Sequence, residues 1–223
     1  MRYSLLVCRP RTASFGQRLG GTMRYSFLVD TYETERLKVM SVWSMFRDED
    51  LGVRPHMTDR RGRNAHEHMV HQCVSENLWF HKILGIDVGA RPLPEIERRT
   101  AFIREYGQDS ARRLTALRDA SPQWWEETVP FFDVERPRTW VLVRRIAHTA
   151  HHRGQQTTLL RILGRDLHST YGPTADTGGL PQQGASTIYA YRDENTLLAG
   201  DGRESKTALR GHGSNPPTER PAS

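Results

Sequence analysis

The chain is 223 residues long, with 36% hydrophobic and 26% charged residues and a formal charge of +6; this suits one domain with a sizeable core plus polar tails. Two cysteines, Cys8 and Cys73, do not make a disulfide framework. No apolar run is long enough for a signal peptide or a membrane span, so a cytoplasmic location is expected. Four arginines (Arg2, Arg9, Arg11 and Arg18) and no acid precede Met23, so residues 23–223 carry only +2, with no clear basic stripe to indicate nucleic-acid binding.

Met1–Val7 is nearly repeated at Met23–Val29, and only the second copy leads into a helical pattern. Residues 1–22 are therefore expected to be an extension that adds nothing to the fold. The first helix is predicted over about Ser26–Arg47, with Val29, Arg36, Met40 and Trp43 along one side. After a loop with Gly52, Pro55 and the basic run Arg60–Arg63, a second helix covers about Asn64–Leu84 and ends at Gly85. A Gly/Pro connection follows. The third helix starts near Leu93-Pro94-Glu95, reaches about Leu117, and shows Phe102, Tyr106, Arg113 and Leu117 on its face. Pro122 ends it. Trp124-Trp125 and Phe131-Phe132 form an aromatic connection, with a short hairpin as one option, before a fourth helix from Trp140 to Leu163. The Gly/Thr-rich stretch 168–199 is expected to pack on the bundle, either as a surface loop or across the site mouth with Tyr171 or Asp176 near it and Thr187–Tyr191 as an anchor. Residues 200–223 read as a disordered tail. The expected architecture is all-α: an up-down four-helix bundle over 23–167 with a long irregular C-terminal segment.

Chemistry concentrates in the last helix. Val141, Arg145, His148, His152, Gln155, Leu159 and Ile162 follow one another at steps of three and four and share a face. The ends of that face are apolar and its middle is Arg, His, His and Gln. A stripe built only for packing would not carry four polar groups that each need a buried partner. His148 and His152 stand one turn apart, about 6 Å along the axis, and can point at one ion; core histidines satisfied by neighbouring polar groups are the alternative. His151 is off this line.

The second helix offers a third ligand among His66, His68, His71 and His81. The line Glu67, His71, Val74, Leu78 and the line Met69, Cys73, Glu76, Phe80, Ile83 are read together as its buried face. That favours His71, with His68 in reserve on the more polar line of Gln72, Ser75 and Trp79. Glu76 is either a buried partner for Arg145 or a histidine, or an acceptor beside a ligand or a general base. Cys73 on this face reads as a small core residue. Three imidazoles suit Zn, Ni or Fe with a position left for water or substrate, and the absence of H-E-x-x-H argues against peptide hydrolysis.

The His71, Glu76, Trp79 pattern and the string His148-Thr-Ala-His-His152-Arg-Gly-Gln155 resemble the second and last helices of the DinB-like superfamily, which includes the YfiT-type metal-dependent hydrolases. The resemblance runs from about Tyr25 to Gly164. It implies a four-helix bundle, often a homodimer, with a divalent metal on His71, His148 and His152. It also implies chemistry of the kind found in relatives: a low-molecular-weight thiol or a water activated for S-transfer or hydrolysis on a small substrate. Gln155 and Glu76 would orient ligands or substrate, and Arg145 would hold an anionic group or neutralise Glu76. The opposing reading is a non-catalytic, stress-associated bundle that binds or dimerises, with structural histidines.

Overall fold

A computed structural model of the chain describes residues 24–89, 91–165, 167, 170, 171, 195 and 197. The expected extension, the Thr187–Tyr191 anchor and the C-terminal tail lie outside them. Four long helices form the bundle: α1 (Ser26–Met45), α2 (Ala65–Leu78), α3 (Arg99–Asp119) and, after the short α4 (Pro122–Glu126), α5 (Arg138–Ile162). Between α4 and α5 sits the hairpin β1 (Thr128–Phe131) and β2 (Val134–Pro137), antiparallel with Phe131 opposite Val134. No described helix is long and apolar enough to cross a membrane.

Local chemistry sets the boundaries. Asn64 caps α2 by accepting from the Glu67 backbone N–H, while Glu67 accepts from that of Asn64, a reciprocal capping box. The last turn of this helix widens into a π turn over Trp79–Ile83, and Gly85, at φ +74°, stops it in the left-handed region. The third helix begins later than expected. Residues 93–98 are not helical, and α3 starts at Arg99, whose backbone N–H is accepted by Asp48 Oδ1. A cap supplied from the distant α1–α2 loop is invisible to local patterning.

The contacts fix the helix directions. Arg99 meets Ser44, Arg36 meets Gly107 and Arg118 meets Glu33, so α1 and α3 are antiparallel. His66 pairs with Glu97 and Asn77 with Arg113, so α2 and α3 run the same way. Arg145 reaches Ser75 while His148 reaches His71, so α2 and α5 are antiparallel. The expected four-helix bundle is thus present with an up-down-down-up order, because the connection over residues 84–98 returns the chain to its starting end.

Two apolar clusters fill the interior. One joins Met40, Trp43, Phe46, Met69, Phe102, Leu159 and Leu160. The other, at the hairpin end, joins Leu28, Val29, Trp79, Phe80, Leu117, Trp125, Phe131 and Leu142. Each gains from apolar surface removed from water. Polar residues of α2 and α5 lie between the two.

Candidate metal centre

The polar layer brings three imidazoles together. His71 Nε2 and His148 Nε2 are 3.3 Å apart, and His148 Nε2 and His152 Nε2 are 3.1 Å apart. One ring nitrogen from each of His71, His148 and His152 lies within 4.8 Å of the others. The spacing in α5 stacks two of them on one side, and the antiparallel α2 delivers the third across the helix interface. His152 Nδ1 lies 3.1 Å from the Gln155 side-chain carbonyl oxygen. A carbonyl only accepts, so Nδ1 carries the proton and Nε2 keeps its lone pair.

Electrostatics keep these rings neutral. Burial, then the cation of Arg145, lowers His148 to about 3. Burial, then His148 itself, lowers His152 to about 3. Burial together with Arg63 and Arg145 also lowers His71. At neutral pH the set is three uncharged nitrogen donors, which fits Zn, Ni or Fe and leaves further coordination positions to small molecules. His71 and His148 are half-buried, so both rings keep some exposure to solvent. The indole of Trp79 stacks on His148, with centroids 5.6 Å apart and planes at 18°.

A family model described as the DinB family matches residues 26–183. The chain belongs to the DinB family. A DinB-like protein from Bacillus cereus ATCC 10987 has a similar crystal structure, with 17% identity, a TM-score of 0.57, and 66% of this chain matched to 97% of that one. YfiT from Bacillus subtilis, described as a probable metal-dependent hydrolase with an unusual four-helix bundle topology, aligns at 15% identity and a TM-score of 0.48, over 70% of this chain and 94% of its own. No curated protein matches the sequence.

In this DinB-family chain the other candidate residues fall into separate roles. Glu76 makes its contacts with phenols and guanidinium groups. It is fully buried and accepts from Tyr32 Oη at 2.7 Å, Tyr106 Oη at 3.1 Å and Arg113 Nη1 at 3.4 Å, while Arg145 Nη2 lies 3.4 Å away. Arg145 also donates to Ser75 Oγ at 2.8 Å and is itself buried. Of its two expected uses, neutralising Glu76 is the one the contacts describe. Gln155 touches the site through His152 but is otherwise exposed. Tyr171 meets Lys38 of α1 at 5.2 Å, and Asp176 lies outside the described residues.

The expected faces of α2 and α5 hold in part: Met69, Cys73, Glu76 and Phe80 are buried, as are Val141, Arg145, His152 and Leu159, while each face also extends to one side. Val74 and Leu78 are 40% and 49% exposed, whereas His68 and Gln72 are buried. The polar line turns inward beside the expected line of Met69, Cys73, Glu76 and Phe80, and His71 stands at its edge, beside α5. Along α5, Thr149, Arg153 and Gln156 are buried, while Gln155 and Ile162 face out. His68 meets the His152 ring at 5.4 Å and is lowered to about 4, chiefly by burial, but lies outside the converging set. Sequence reasoning missed Tyr32, Gln72, Gln156 and the joint use of Tyr106 and Arg113. One signal was present: an arginine on an apolar face of α3 requires a buried carboxylate, and Glu76, read only as a partner for Arg145 or a histidine, could also have served it.

Proposed function

We propose that this protein is a divalent-metal-dependent enzyme acting on a small substrate. The observation that carries the reading is the convergence of three neutral Nε2 atoms, one of them pre-oriented by Gln155. A divalent ion held there would supply a Lewis acid able to activate a thiol or a water for S-transfer or hydrolysis. Gln155 fixes the tautomer of His152, as acceptors beside ligating histidines commonly do. Trp79 sets the ring plane of His148. The Glu76–Arg145 pair, with Ser75, ties α2 to α5 on the inner side of the histidines. Cys73 is no candidate nucleophile, since burial pushes its thiol well up and away from ionisation. Among the described residues no cysteine is then free to react, and a small-molecule thiol would fill that role.

The test is elemental analysis of the purified full-length chain beside His148→Ala/His152→Ala, followed by a screen of thiols and small electrophiles. About one equivalent of metal, lost in the double variant, supports the reading. A parent that holds no metal and takes up neither Zn, Ni nor Fe turns the assignment to a non-catalytic bundle.

A further inference from the structure

Two interior glutamines have no partner among the described residues. Gln72 of α2 and Gln156 of α5 are both 0% exposed, and neither the amide nitrogen nor the carbonyl oxygen of either side chain makes a hydrogen bond there. His68, 3% exposed, has a buried Nδ1 in the same condition. Buried polar atoms are nearly always hydrogen-bonded, and each one left alone costs free energy that the fold must offset. Leucine or methionine would fill the same interior without that cost. Five unpartnered donors and acceptors on two facing helices therefore point to something polar that they hold.

The register of the two helices places these atoms along one strip. Ser75 meets Arg145, His71 meets His148, and the ring of His68 lies 5.4 Å from that of His152, so each step back along α2 is a step forward along α5. Gln72 stands one turn after His68, and Gln156 one turn after His152. The glutamines thus flank the His68–His152 contact at opposite ends of about 12 Å of interface. Each carboxamide is uncharged and both donates and accepts. A matching ligand must be neutral and do the same, which describes water, a hydroxyl or an amide. Full burial of both glutamines favours the smallest of these, and one buried water typically satisfies about three such atoms.

We propose that Gln72, His68 and Gln156 bind ordered water molecules buried along the α2–α5 interface, against the ring of His152. This goes beyond the metal-enzyme reading and needs no bound ion. The waters satisfy the carboxamides and join α2 to α5 where no direct side-chain hydrogen bond between Gln72 and Gln156 does so. With an ion in place, the centre would border water held inside the bundle as well as bulk solvent.

Water–amide NOE and ROE spectra of the nitrogen-15-labelled full-length chain, recorded as purified and again after EDTA treatment, test this. The side-chain NH2 signals of Gln72 and Gln156 are identified by their loss in Gln72→Met and Gln156→Met, or by through-bond assignment where a variant does not fold. Both signals should show water cross-peaks of opposite sign in the two spectra, the mark of long-held water, whereas proton exchange gives one sign in both. The exposed Gln123 should show no such pair. Oxygen-17 relaxation dispersion of the solvent, which counts long-held waters, should lose amplitude in each variant. Absence of these cross-peaks from both glutamines in the parent overturns the proposal. Cross-peaks that vanish with EDTA overturn it too, because the water then belongs to the ion, a result that leaves the metal-enzyme reading standing. So does displacement of the water by added acetamide with a shift of both NH2 signals, which would mark a subsite for a ligand's own amide.

Discussion

Replacing Glu76 by glutamine separates a structural carboxylate from a catalytic one. Glu76 is fully buried between Arg113 Nη1 and Arg145 Nη2, each at 3.4 Å, and accepts from Tyr32 and Tyr106. Glutamine keeps an acceptor oxygen for the phenols but removes the charge. Arg113 retains Asp109 at 3.5 Å and Asn77 at 3.1 Å, whereas Arg145 retains the neutral Ser75 hydroxyl. The change therefore leaves one buried guanidinium uncompensated, which costs about 3–5 kcal/mol. Set against a domain stability of about 5–15 kcal/mol, that is a large fraction. Urea unfolding of the metal-free protein at neutral pH, followed by far-UV circular dichroism, should show a loss of at least about 3 kcal/mol. Adding Arg145→Met to Glu76→Gln should recover much of it, because an apolar replacement of a whole pair is often neutral. A Glu76→Gln protein within about 1 kcal/mol of the parent, less than a buried charge costs, would refute the reasoning. If such a protein were also inactive, Glu76 would be acting on substrate.

Gln155→Ala should weaken metal binding by about 10- to 100-fold with little loss of stability, because it frees His152 Nδ1 without touching a ligand atom; competition with a chromogenic chelator measures it. The depressed values of His148, His152 and His68, about 3, 3 and 4, make the metal-free fold acid-sensitive. With folded values below the unfolded value of about 6.5, the unfolded chain takes up protons first. The stability is thus present above about pH 6.5 and lost as pH falls through 4 and 3. The urea midpoint should fall over that window in the parent and more gently in His148→Ala/His152→Ala; a midpoint that rises from pH 7 to pH 5 would contradict it. Cys73 should resist maleimide labelling in native protein and react fully in urea, and rapid native labelling would show the α2 face to be open.

The last helix was legible because its signal is a contradiction within one pattern: Arg145, His148 and His152 interrupt a face that begins and ends apolar. The same logic held only in part on α2. Val74 and Leu78 pulled the inferred face toward themselves, yet the structure turns them outward and buries His68 and Gln72 beside the expected Met69, Cys73 and Glu76. Apolar periodicity cannot see a polar interior whose partners come from other helices. Tyr32, Tyr106 and Arg113 reach Glu76 from α1 and α3, and those helices lie far away in sequence. The start of α3 was hidden for a related reason, since Asp48 supplies its cap from another loop. Helix directions were not legible either, because the connection over residues 84–98 is long enough to return the chain to either end.

His71 and His148 stand 77 positions apart in the chain, and a bond through a shared ion would close that whole loop. Closing a loop of this length is entropically costly in an unfolded chain, though the cost grows only logarithmically with length. The pocket therefore does not pre-exist locally in either helix. α5 alone offers a bidentate pair, and the third donor arrives only once α2 has docked against it. Ion capture should accordingly trail bundle assembly during refolding, with full affinity appearing as the final kinetic phase. Once in place, the ion would act as a clip against the separation of these two helices, slowing their opening more than that of α1 from α3, which supply no ligand.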